Sequence, residues 1–223
     1  MTLLREIQTL LERTYAPVAI NLESCVIGES RCAMLNRLAG ESAAHLAPSG
    51  RTFLRQSEDS LYVAIFYARP VIAQLEENDP RQALNERNIG PLITFVEEIA
   101  HGVQAALLFL EGEREIYSEA YARNLEAQAR VDTYLVLSKF VHLLCGKGSI
   151  SPAIGRWLRR QVFDSSYRRF STPQLRERYG SAQKCALAFI RRLRRVPVDS
   201  RRETLRHFRA LSWPAKQAFV GLA

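Results

Sequence analysis

The sequence predicts a mainly α protein, a multi-helix bundle with one small β-hairpin at about residues 51–67 and a basic helical subdomain at its C-terminal end. Three observations predict it. Apolar residues recur at helical spacing along most of the chain, two β-prone runs flank one polar turn, and the charge changes sign near residue 150. At 223 residues and 47% apolar composition the chain can bury a substantial core, which excludes a largely disordered protein.

The first helix is carried by Leu3, Leu4, Ile7, Leu10 and Leu11 and is bounded by Pro17. A second, short helix is expected from Glu29 to Leu38, ending at Gly40. Thr52-Phe-Leu-Arg-Gln and Leu61-Tyr-Val-Ala-Ile-Phe-Tyr flank Ser57-Glu58-Asp59-Ser60 and read as a hairpin, which is marginal alone and must lie on helices or pair through a free edge. After Pro70 and Asp79-Pro80 the pattern is helical to the end. The longest helices are expected at Pro91 to Leu110 and Arg114 to Leu144, antiparallel because the link at Glu111-Gly112-Glu113 is short. Leu92, Val96, Ile99, Val103, Ala106 and Leu110 form one apolar stripe, with Thr94, Glu97, His101, Ala105 and Leu108 opposite.

In that hairpin of helices, Glu97, Glu98 and His101 come level with Glu126, with Asp132 about two turns further along. Glu-x-x-His puts a carboxylate and an imidazole on one helix face, the geometry of a metal or acid/base site. A two-metal bundle asks for two such motifs, and this chain has one; the order also runs opposite to His-Glu-x-x-His. A salt-bridge network with Arg123 or Arg130 is therefore the leading expectation, to be recognised by a cation between the carboxylates, and the metal site is the alternative. No metal and no cofactor is expected on this reading.

Gly146-Lys147-Gly148-Ser149 has the residues of a phosphate loop but neither the order nor the preceding strand, and reads as an interhelical linker with Gly146 as helix cap. The expected boundary lies there, between a slightly acidic core at 1–148 and an Arg-rich helical subdomain at 149–223. Residues 151–223 hold 17 Lys+Arg against 4 Asp+Glu, a net of +13, while residues 1–150 hold 14 against 19, a net of −5. Ser151-Pro152, Thr172-Pro173, the capping box Ser200-Arg-Arg-Glu203 and Ser212-Trp-Pro214 open four helices there. Their arginines ride beside apolar stripes, with Arg202, Arg206 and Arg209 expected outward.

Fifteen of those 17 basic residues are Arg, whose planar fork suits phosphate or carboxylate. The composition accordingly predicts a non-catalytic, nucleic-acid-associated binding or adaptor protein contacting phosphate backbone. Arg156, Arg159, Arg160, Lys184, Arg191, Arg195, Arg202, Arg206 and Arg209 are the expected contacts. An acidic protein surface within a larger complex is the alternative partner, and a metal-dependent or acid/base enzyme centred on Glu97, Glu98, His101 and Glu126 the alternative activity. Cys25, Cys32, Cys145 and Cys185 lack metal or disulfide spacing and read as free thiols. Ile99 to Leu110 and Val131 to Cys145 read as too short and too polar to span a membrane, so a soluble, cytoplasmic protein is expected.

Overall fold

The chain is mainly helical with a small sheet, seen in a computed structural model that describes residues 1–39, 49–146, 151–163 and 172–222. Gly40, the linker residues 147–149 and the expected boundary at residue 148 lie outside the described residues. Helix α1 (Leu3–Thr14) starts where the Thr2 side chain accepts the Arg5 N–H and ends three residues before Pro17. It buries Leu4, Ile7 and Leu11, as its stripe predicts. Gln8 is buried with them, because Nε2 donates to the Ile20 carbonyl at 2.7 Å and Oε1 accepts the Leu22 N–H at 3.2 Å.

Strand β1 (Val26–Ile27) precedes helix α2 (Glu29–Leu38), and strands β2 (Gly50–Gln56) and β3 (Leu61–Tyr67) form the expected hairpin, with Gly50 opposite Tyr67 and Gln56 opposite Leu61. The hairpin is not alone. β1 pairs in parallel with β3, giving the order β1-β3-β2, so β3 is the central strand and buries Ile65 and Tyr67. Helix α3 (Arg69–Glu77) carries Pro70 in its first turn, where a missing N–H is tolerated.

Helix α4 (Ile89–Leu110) is the centre of the molecule. Leu92, Val96, Ile99, Val103 and Ala106 of its stripe are buried, while Leu110 is exposed at the end. Helix α5 (Glu119–Leu144) runs beside it but begins five residues later than the spacing predicts. The Glu113 carboxylate accepts the Arg114 and Glu115 N–H groups, each at 2.8 Å, which holds that stretch in a turn, and the Ser118 hydroxyl caps the helix by accepting the Tyr121 N–H. Gly112 and Gly146 have positive φ, the left-handed conformation that ends a helix cheaply only at glycine.

Helices α6 (Pro152–Phe163), α7 (Pro173–Leu193), α8 (Arg201–Ala210) and α9 (Trp213–Phe219) complete the fold. The Thr172 cap forms, accepting the Leu175 N–H. The capping box at Ser200 does not: a 3-10 turn at Val198–Ser200 runs straight into α8, so Ser200 already has helical angles and its hydroxyl makes no cap bond. α5 packs against α4 on one side and against α6, α7 and α9 on the other. The main apolar core runs from Leu4 and Ile7 through Val96 and Leu137 to Leu158, Phe189, Phe208 and Trp213, with a small second cluster at Ala105, Tyr121 and Leu125.

α4 as a whole, at 22 residues, is long and apolar enough by length and composition to cross a membrane, in contrast to the shorter span expected from Ile99. Sixty-one per cent of its most apolar window is buried inside the fold, which accounts for that composition.

Candidate functional site

The predicted acidic and imidazole residues converge. His101 of α4 lies between two carboxylates, with Nδ1 3.5 Å from Glu98 Oε2 and Nε2 3.6 Å from Glu126 Oε2 on α5. These are contacts of charge, longer than a good hydrogen bond. Burial alone would depress the imidazolium, but the Glu126 carboxylate and then Glu98 outweigh it and hold His101 well above the usual histidine range. Glu126 responds in kind: burial raises its carboxyl, and His101, joined by Arg130 and Tyr179, more than reverses the effect, leaving it below the usual range. Tyr179 of α7 also bonds Glu126, and Thr52 of β2 donates to Glu98 Oε2 at 2.7 Å.

Glu97 is answered by Arg130, whose Nη1 is 2.5 Å from Glu97 Oε1 and 3.2 Å from the Val162 carbonyl. Burial pushes the Glu97 carboxyl up, against the Arg130 charge that lowers it. A cation thus stands among the carboxylates, which is the arrangement that marks a structural network. Among the described residues no three His, Cys, Asp or Glu side chains are grouped so that they could hold a metal ion. The cluster ties β2, α4, α5, α6 and α7 together at one depth.

A second buried network was not predicted. Asp132 of α5 accepts from the Tyr15 hydroxyl and, at 2.6 Å, from Gln104 Nε2. Gln128 Nε2 donates to Tyr15 Oη at 2.8 Å and to Asp132 Oδ1 at 3.2 Å. Lys216 of α9 then donates from Nζ to Gln128 Oε1 at 3.1 Å and sits 4.8 Å from the centre of the Phe208 ring. Burial pushes the Lys216 ammonium down to about 7 and the Asp132 carboxyl up to about 6. Gln104 and Asp132 interrupt apolar helical runs, which is a visible signal; Tyr15 and Lys216 lie in ordinary amphipathic surroundings and carry none.

The basic residues divide. Arg156, Arg160, Lys184, Arg191, Arg195, Arg202 and Arg206 are exposed, and Arg159 is half-buried. Arg209 is not outward as expected. It is buried and ion-paired with Glu111 at the end of α4, because the last turn of α8 packs against the rest of the fold through Phe208. Arg178 likewise pairs with Glu119, at 2.5 Å. At the end of α7, Arg191, Arg192, Arg194 and Arg195 all stand exposed around buried Leu193. Among the described residues none of these four, nor Arg156, Arg159, Arg160, Lys184 or Arg202, has a carboxylate partner.

Side chains link three helices there. A Cβ placed on Gly155 would lie 3.8 Å from Arg194 Nη2, so the Arg194 side chain reaches the first turn of α6. Arg201 at the start of α8 donates to the Val196 carbonyl at 3.0 Å and the Arg194 carbonyl at 3.4 Å, which holds Arg202 close by. No protein-family model, curated protein or solved structure matches this chain.

Proposed function

We propose that the protein is a nucleic-acid-associated binding or adaptor module that holds phosphate backbone on the surface formed by the start of α6, the end of α7 and the start of α8. The observation that carries the reading is the set of exposed arginines on α6, the end of α7 and α8, without carboxylate partners among the described residues, on helices linked by the Arg194 and Arg201 side chains. The helix macrodipole favours cations at the end of α7, but it gives no reason for Arg156 and Arg202 to gather there too. Internal pairing is offered to other basic residues, Arg178 and Arg209, and passes these over.

Arg191, Arg195 and Arg202, with Arg156, are the contacts of this proposal; Arg160, near the end of α6, and Lys184, in the middle of α7, stand exposed away from that surface, and Arg209 supports α8 from within. The contacts are to phosphate, because arginine forks read oxygen geometry and, among the described residues, no exposed aromatic pair is offered nearby for base stacking. The test is charge reversal on the full chain. Arg191→Glu, Arg195→Glu and Arg202→Glu together should weaken binding to generic duplex DNA and RNA by an order of magnitude or more at fixed salt, with far-UV circular dichroism unchanged. Unchanged affinity in the folded triple variant rejects the surface, and capture of a polyacidic protein with no nucleic-acid binding favours the acidic partner instead.

A further inference from the structure

Independently of the nucleic-acid reading, we infer that Lys216 and Gln128 form an intramolecular isopeptide cross-link, Nζ to Cδ, that fastens α9 to α5 with release of ammonia. Lys216 and Gln128 are 1% and 2% exposed, and the amine already touches the carboxamide, Nζ to Oε1 at 3.1 Å. Nucleophile and electrophile are therefore held together with water excluded, the condition under which a slow bimolecular amide exchange becomes an intramolecular one. A desolvated lysine is nucleophilic because burial disfavours its ammonium, an effect that Cys185 and Asp132 oppose without reversing, and no carboxylate lies within ion-pair distance of Lys216 among the described residues. Cys185, the other nucleophile beside it, is held as the thiol, since burial pushes it up to about 11.

Asp132 supplies the proton transfer. Its Oδ1 accepts from Gln128 Nε2, the nitrogen that must leave. The neutral Nζ adds to Cδ and so moves onto the carbon whose amide nitrogen Asp132 already holds; from there Asp132 takes the proton that Nζ sheds. The Cδ–Nε2 bond breaks as Asp132 returns that proton to Nε2, which departs as ammonia and leaves a secondary amide. One N–C bond forms and one breaks, with no oxidant or other reactant. Above about pH 7 the amine is neutral and Asp132, with a value of about 6, is ionised and ready to act as base. Tyr15, which bonds both Asp132 and Gln128, fixes the carboxamide plane.

The intact mass of the purified full chain, incubated at about pH 8, a pH set by the lysine value, decides the matter. The expected result is a chain lighter by one ammonia, with a branched peptide joining the segments around Gln128 and Lys216 on digestion and sequencing by tandem mass spectrometry. Lys216→Met should retain the full mass, and Asp132→Asn should slow the loss at least tenfold. A wild-type chain that keeps its full mass overturns the proposal whether or not either variant folds. So does a lost ammonia that maps to another residue, or an Asp132→Asn chain that loses it at the wild-type rate.

Discussion

His101 sits in an arrangement of charges that a structural network would use. It is an imidazole between two buried carboxylates, beside a third that Arg130 neutralises, so each charge in the cluster has an opposite neighbour. Removing one member leaves the others buried and unpaired. His101→Ala should cost about 1–3 kcal/mol in chemical denaturation, and a metal chelator should leave the melting temperature of the wild type where it was. The pH dependence has a definite sign. The folded value of His101 is raised, so its contribution is fully present below the ordinary value of about 6.5 and is lost as pH rises through the raised one. The stability difference between wild type and His101→Gln should therefore shrink on going to alkaline pH; a difference that grows contradicts the network.

At the scale of elements, the hairpin and α4 are locked by a close approach of backbone to helix. A Cβ on Gly50 would lie 2.6 Å from Thr94 Cγ2 and 3.1 Å from Glu98 Cγ, so β2 reaches α4 only as glycine, and Thr52 then reaches Glu98. Gly50→Ala should destabilise the fold by about 1–3 kcal/mol through overpacking, read as a lowered denaturant midpoint, whereas Gly90→Ala, with nothing within 4 Å, should not through contact. Arg209 makes a parallel case on α8: Arg209→Ala should lower the melting temperature through loss of the Glu111 pair while nucleic-acid affinity stays at the wild-type level. An affinity loss matching that of Arg202→Ala would return Arg209 to the contact surface.

Much of this level was legible. The helices at Leu3–Thr14 and Glu29–Leu38 and the hairpin followed from apolar period and local punctuation, and the Glu97, Glu98, His101 and Glu126 convergence followed from pairing the two long helices, although the link between them is longer than expected. What escaped was non-local or depended on competing local bonds. β1 is two residues long and exists only by pairing with a strand far along the chain. The start of α5 was displaced because the Glu113 side chain captured backbone N–H groups that helix propensity would have used. The Tyr15, Gln128, Asp132 and Lys216 network joins helices from opposite ends of the sequence, so no spacing could announce it.

Across the whole molecule, charge and core follow different plans. The apolar core runs without interruption from α1 to α9, whereas the positive charge is concentrated on the helices after residue 150. Packing therefore does not require the arginine excess, and some of it is spent internally on Glu111 and Glu119. Several of the others, Arg156, Arg191, Arg195 and Arg202, stand exposed on α6, at the end of α7 and on α8, and the proposed function assigns phosphate contact to them. The most direct test is the salt dependence of binding to generic duplex DNA between about 50 and 200 mM monovalent salt. Neutralising several phosphates releases their counterions, so log affinity against log salt should fall with a slope steeper than about −3, each lost contact flattening it by about 0.9. The Arg191→Glu, Arg195→Glu, Arg202→Glu variant should flatten that slope. A slope near zero, or a slope identical in the triple variant, would contradict the claim.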